Sequence, residues 1–367
     1  MKKSVEVFAC YNTNKEVRLS SSSGAVFSLL ADYILEQQGI IYGVSMSEDC
    51  YSAHFISVSD KKDLEKLRGS KYLQAKIGNT FQLVKDNLSS GRIVLFSGTG
   101  CQVNGLKLFL GKEYDNLICV DVICHGVPSP ALWREYVKYQ EQKNGGKLKA
   151  INFRCKDISW TDFGMNEVLS EIPQSNEKKV YISKDKDAYM QMFLRDYCLR
   201  PSCYECVAKK SKMSDLTIAD FWGINDVAAD MNDGMGTSLA IIRTEKGKDI
   251  FEKISKCMKL KEVSYEDGVR CNPAEFKSCY RPSQRDTFFN DMHKLSFDEL
   301  EKKYVSTPIK LSFKSRVKIK MKNIIKELSK IRGGAAERNE IIMDYALCFV
   351  FDVSEDTEYN ERETGLV

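Results

Sequence analysis

Residues 92–130 read "RIVLFSGTGCQVNGLKLFLGKEYDNLICVDVICHGVPSP". RIVLFSG (92–98) and NLICVDVIC (116–124) are short apolar, β-branched runs, and QVNGLKLFLG (102–111) between them carries apolar residues at helical spacing. Strand, glycine loop, helix and second strand in that order describe an α/β unit. Each strand runs out into residues able to do chemistry: Gly98, Thr99, Gly100 and Cys101 after the first, Cys124 and His125 after the second. In a parallel sheet both groups emerge at one carboxyl edge, where the ligand-binding loops of open α/β sheets gather.

The pattern extends outward in both directions. SGAVFSLLADYILEQQ (23–38), KKDLEKLRGSKY (61–72), GNTFQLVKDNLSSG (78–91) and ALWREYVKYQEQK (131–143) read as helices, and GIIYGVSM (39–46) and HFISVSD (54–60) as strands. Beyond residue 145 the chain becomes β-rich, with strands expected at LKAINFR, KKVYIS, DLTIADF and SLAIIRT, and residues 286–305 read as helical. The fold class is therefore α/β, a mixed, partly parallel sheet with flanking helices, joined to a β-rich segment that carries cysteines. Residues 1–145 form the α/β core, 146–305 the β-rich segment completing the same catalytic unit, 306–350 a basic helical region and 351–367 an acidic flexible tail.

The 367 residues, 43% apolar and 10% aromatic, suffice for a sizeable core, and a net charge of +4 does not call for a nucleic-acid partner. No apolar run reaches the roughly 20 residues of a membrane span, and the N-terminus lacks a signal-peptide core, so a cytoplasmic location is expected. The lysine-rich IKLSFKSRVKIKMKNIIKELSKIRGG (309–334) is read as a solvated amphipathic helix, with peripheral contact to a membrane surface or a partner as its alternative.

Thirteen cysteines in a reducing compartment argue against a disulfide framework. Cys10, Cys50, Cys119, Cys257 and Cys348 are expected to pack as small apolar side chains. "DYCLRPSCYEC" (196–206) spaces Cys198, Cys203 and Cys206 as C-x4-C-x2-C, and a C-x2-C turn can hold zinc, iron and sulfide, or a redox disulfide. Its missing ligands can come from Cys101 and Cys124 at the sheet edge, with Cys198 competing for a place and Cys155 a weaker fifth candidate. A different use of the same residues makes Cys101 a nucleophile at a helix N-terminus with His125 as its base. Gly98, Thr99 and Gly100 could also present amides to a phosphate, the SSSSG at 20–24 could do the same or simply cap a helix, and Lys71 could neutralise a pyrophosphate.

Taken together, "SSSGAVFSLLADYILEQQGIIYG", "LRGSKYLQ", "VLFSGTGCQVNGLKLFLG", "VDVICHGVPSP", "LRPSCYECVAKKSKMSDLTIADFWGI" and "GTSLAIIRTEKGK" resemble the coenzyme F420 hydrogenase/dehydrogenase beta-subunit family in its bacterial branch, over about residues 5–290. The resemblance implies an FAD- and 4Fe-4S-dependent oxidoreductase. It places the cluster on Cys101, Cys124, Cys203 and Cys206, in preference to Cys198, and the flavin near Ser23, Gly24, Lys71, Gly98, Thr99 and Gln102. The β-rich segment then becomes the cluster-binding one. The family usually has proline where this chain has Gly100, and many bacterial members carry a ferredoxin segment ahead of the first motif. Starting at "VEVFACYNTNKEVR", this chain is expected to draw on an external one-electron donor such as ferredoxin. The implied acceptor is a two-electron substrate, either a small molecule or a lipid-linked sugar of surface-polysaccharide biosynthesis. Two readings of another class stand beside it: a non-catalytic zinc-stabilised partner protein, and a cysteine-dependent transferase using Cys101 and His125.

Overall fold

The computed structural model of the chain describes residues 5–171 and 177–306. Its strands are β1 (Glu6–Asn12), β2 (Ile40–Met46), β3 (Ala53–Val58), β4 (Val94–Thr99), β5 (Leu117–Val122), β6 (Gly146–Cys155), β7 (Gly164–Glu171), β8 (Glu177–Ser183), β9 (Leu216–Asp220), β10 (Ser238–Ile242) and β11 (Met258–Val263). Eight of them form one sheet in the order β11-β1-β10-β9-β5-β4-β2-β3, and β6-β7-β8 form a separate antiparallel sheet. The centre of the large sheet, β2-β4-β5-β9, is parallel, and its two flanks are antiparallel. The mixed, partly parallel sheet expected from the sequence is present.

The helices are α1 (Lys15–Leu19), α2 (Val26–Glu36), α3 (Thr80–Ser89), α4 (Gly100–Leu110), α5 (Pro130–Asn144), α6 (Ala188–Leu194), α7 (Ile224–Ala228), α8 (Glu245–Ser255), α9 (Tyr265–Val269), α10 (Arg285–Met292) and α11 (Phe297–Tyr304). Successive side chains of a strand point to opposite faces. Val94, Phe96, Leu117 and Cys119 accordingly enter a core built with α3, α4 and α5, while Leu95, Ile118 and Val120 enter a second one built with α2 and α8. Burial on both faces explains why β4 and β5 read as unbroken apolar runs. Ser129 caps α5 through the Ala131 amide, Pro130 sits in its first turn, and Gly145 closes it at φ 68°.

Several expectations are corrected. The helix expected at residues 61–72 is present over Lys61–Leu67 and is of the 3-10 type. The serines of 20–24 do not cap α2: its N-cap is Ala25 at φ 64°, and the Ser23 hydroxyl donates instead to the Thr237 carbonyl at 2.9 Å. β1, β7 and β11 were not foreseen, and β1 pairs with both β10 and β11, so strands from either side of residue 145 share one sheet. Cys10, Cys50 and Cys119 pack in the core, whereas Cys257 is exposed. Cys348, the basic 309–334 segment and the acidic tail lie outside the described residues. Among the described residues no helix is long and apolar enough to cross a membrane.

Candidate metal centre

The parallel register of β4 and β5 sets Thr99 opposite Val122. Cys101 in the first turn of α4 and Cys124 just past β5 therefore leave the sheet at the same edge. The third cysteine segment reaches this edge by pairing with the loop after β5. The Ser129 amide donates to the Cys198 carbonyl at 2.9 Å and the Arg200 amide to the Val127 carbonyl at 3.0 Å. The Val127 amide then donates to Cys203 Sγ at 3.5 Å. A side chain at Gly126 would press on this pairing, because its Cβ would lie 2.7 Å from Leu199 Cδ1.

On the other side of the site, Asn104 of α4 donates from Nδ2 to the Ser211 carbonyl at 2.8 Å and accepts from the Met213 amide at 3.1 Å. It pins the chain that follows Cys206 against α4. Gly100 lets that chain come close: a Cβ there would sit 2.9 Å from Asp121 Oδ2 and 3.2 Å from Ala208 Cβ.

Burial pushes the Cys124 thiol up to about 12, and Cys203, Cys101 and Cys206 add to the effect against the opposing charge of Lys209. Cys203 is raised by burial, against the hydrogen bond from Val127. Cys101, Cys124, Cys203 and Cys206 thus lie within one another's electrostatic reach. Cys124 and Cys203 therefore resist ionisation in the absence of a cation, and binding a metal exchanges thiol protons for it. Cys198 belongs elsewhere: it is fully buried in the core, and burial dominates its raised pKa, with Asp196 and Arg285 as its charged neighbours. Cys155 is buried at the end of β6 beside Asp157 and Asn166.

The His125 ring bonds through Nε2 to Asp196 Oδ1 at 2.7 Å, while Cys101 Sγ has Thr99 Oγ1 at 3.2 Å. Among the described contacts the Cys101–His125 dyad is not formed. Asp196 adopts φ 63°, uncommon outside glycine, and its carbonyl accepts the Tyr204 hydroxyl at 2.6 Å. Cys279, whose thiol donates to the His125 carbonyl, feels the charge of Cys124 and Cys203 and lies at the margin of the site.

The other residues singled out from sequence fall into two places. Thr99 and Gln102 form a capping box at the start of α4, with the Thr99 amide donating to Gln102 Oε1 at 2.9 Å, so Gly98, Thr99 and Gln102 lie at the cysteine edge. Ser23 and Gly24 back onto β10, where the Gly24 amide donates to Ser238 Oγ at 2.9 Å. Ser22 and Ser70 join hydroxyls at 3.0 Å, which brings the Lys71 segment alongside. Lys71 Nζ donates to the Arg68 and Lys66 carbonyls, and burial lowers its pKa to about 7. Among the described hydrogen bonds none joins these two places directly. A second half-buried amine borders the serine corner: Lys156 donates to the carbonyls of Arg18, Met235 and Ser23, and its partial burial lowers its pKa to about 8.

Sequence reading missed Asn104, Lys156, Asp196, Lys209 and Cys279. Lys209 and Lys156 stand in no distinguishing sequence pattern, and only tertiary contacts separate them from the other lysines. Asn104 carried a faint signal as a polar residue amid the apolar positions of a helix.

Residues 7–80 match the model of the coenzyme F420 hydrogenase/dehydrogenase beta subunit N-terminal region, and residues 91–267 match that of its C terminus. A curated relative, the coenzyme F420-dependent sulfite reductase of Methanocaldococcus jannaschii, is 23% identical over 279 residues, which cover 73% of this chain and 40% of that protein. The chain thus spans about two fifths of that relative's length. A solved structure of the F420-reducing NiFe hydrogenase complex from Methanosarcina barkeri, prepared by xenon derivatisation, contains a chain similar to this one. It aligns with a TM-score of 0.47 and 17% identity, over 83% of this chain and 92% of that one. The two family models together match more than half of the sequence, and the chain belongs to the coenzyme F420 hydrogenase/dehydrogenase beta-subunit family of oxidoreductases.

Proposed function

We propose that the chain is an iron–sulfur flavoprotein that passes electrons between a one-electron protein donor, such as ferredoxin, and a two-electron substrate. The observation that carries this reading is the convergence of four thiols from three segments on one sheet edge, beside a strand-to-helix junction. The donor set fits a 4Fe-4S cluster on Cys101, Cys124, Cys203 and Cys206. Such a cluster carries one electron at a time and a flavin two, the combination that couples the two kinds of partner.

The protein's own residues supply orientation and charge. Cys101 is exposed while Cys124, Cys203 and Cys206 are half-buried, so a partner would approach the site from the Cys101 side. The capping box serves the amides of Thr99 and Gln102 and leaves Gly100 and Cys101 as first-turn amides for an anionic group. Lys71 Nζ is held by the Lys66 and Arg68 carbonyls, and a flavin diphosphate near Ser23 and Gly24 would favour its charged form, which has a third N–H to donate.

Anaerobic purification followed by visible spectroscopy and analysis of metal, acid-labile sulfide and flavin tests the reading. Equal amounts of iron and sulfide together with bound FAD are expected. A colourless protein containing zinc would overturn it in favour of a structural metal site.

A further inference from the structure

We propose that Lys209 is a positioning residue of the four-cysteine site, which ties its segments together and offsets the negative charge of its thiolates; this rests on the cluster reading above. Lys209 closes the short 3-10 turn Val207–Lys209 that directly follows Cys206. Its Nζ donates to the Cys124 carbonyl at 2.5 Å and to the Ala274 carbonyl. One side chain thus joins the loop after β5, the C-x2-C turn and the segment before Cys279. The last of these is held to the same turn a second time, where the Cys206 amide donates to Ser278 Oγ at 2.9 Å.

An ammonium has three donors, and both partners of this one are neutral carbonyls, which leaves a donor and a full charge to be met. Lys212, just beyond, shows the alternative arrangement, pairing with Glu275 at 3.1 Å and Asp121 at 3.5 Å. No described carboxylate pairs in this way with Lys209. The hydrogen bond to the Cys124 carbonyl holds this ammonium beside the backbone of a proposed cluster ligand. Reduction adds a negative charge to a cluster, so a positive charge held at the backbone of one of its ligands would favour the reduced form and raise its potential.

The test compares K209Q, K209R and K210Q, the last altering an exposed neighbouring lysine, after anaerobic reconstitution of the full chain. The readouts are iron per chain and the midpoint potential from an EPR-monitored titration. K209Q should bind less iron or titrate at a lower potential, K209R should lie near wild type, and K210Q should match wild type in both. An iron content and midpoint unchanged in K209Q would overturn the proposal, as would an equal shift in K210Q, which would report net charge only. If K209Q does not fold, a K209R protein with wild-type circular dichroism but no iron would also overturn it. A wild-type chain that takes up no iron would instead overturn the cluster reading, a result seen before any variant is made.

Discussion

Thr99 and Val122 stand opposite one another in the parallel register of β4 and β5, and Cys101 and Cys124 each follow two residues later. Backbone pairing, and no feature of the cysteines themselves, brings these two thiols level. Cys203 joins them by a second pairing, between residues 198–203 and the loop after β5. Cys198 is part of that pairing through its carbonyl while its side chain faces the core. Changing Cys124 to Ser should therefore abolish most iron binding with little change in far-UV circular dichroism. Changing Cys198 to Ser should keep the iron and cost about 1–3 kcal/mol by burying a hydroxyl. Iron analysis and denaturant melts of both variants check this, and loss of iron in C198S with retention in C124S would reverse the ligand choice.

Asn104 holds the chain after Cys206 by two hydrogen bonds from one amide side chain. Asn104→Ala leaves the Ser211 carbonyl and the Met213 amide without that partner, a loss of about 1–3 kcal/mol. The loop should loosen before the sheet does. Iron release to a chelator should accelerate in N104A at temperatures where the fold is intact, and an unchanged release rate would remove Asn104 from the support of the site.

How much of this could be read in advance depends on the range of the interaction. β4, α4 and β5 were legible because apolar alternation and glycine punctuation are local signals, and they placed Cys101 and Cys124 at one edge. β11 was not, since its "MKLKEV" is an edge strand with lysines on its exposed positions, a common way of guarding an edge. β7 hides its character by burying Glu167. The roles of Lys209, Lys156 and Asn104 arise from backbone carbonyls far away in sequence, which no local pattern records. The serine run misled for a related reason: Ser20 and Ser21 bond back to the Val17 carbonyl, Ser22 meets Ser70 and Ser23 the Thr237 carbonyl, while Ala25 begins the helix in a left-handed conformation.

Gly100 opens α4 at the cysteine edge, and its surroundings show what a larger residue would meet. A Cβ would press on Asp121 Oδ2 and approach Ala208. The Asp121 carboxylate is fully buried, accepts from Ser214 and Thr217 and has Lys212 at 3.5 Å, so it has little room to withdraw. Gly100→Ala should destabilise the chain by about 1–3 kcal/mol through overpacking, despite the better helix propensity of alanine. A G100A protein as stable as wild type in urea would show that the 207–209 turn yields easily.

Tyr136, Glu167 and Asp187 form a buried group between α5, β7 and the start of α6. The Tyr136 oxygen lies 2.5 Å from Glu167 Oε1 and 2.6 Å from Asp187 Oδ2. One hydroxyl has one proton, so it can donate to only one carboxylate, and the other contact needs a protonated carboxyl. Burial raises Glu167 to about 7 and Asp187 to about 6. Unfolded carboxyls titrate near 4. Between these values the folded chain binds more protons than the unfolded one, so stability falls as pH rises. The contribution is complete below about pH 4 and is lost as the pH passes about 7. Thermal melts between pH 5 and pH 8 should show a decline that is shallower in E167Q, whose amide does not titrate. Equal slopes in the two proteins, or a steeper one in E167Q, would show that the shared proton does not govern stability in this window.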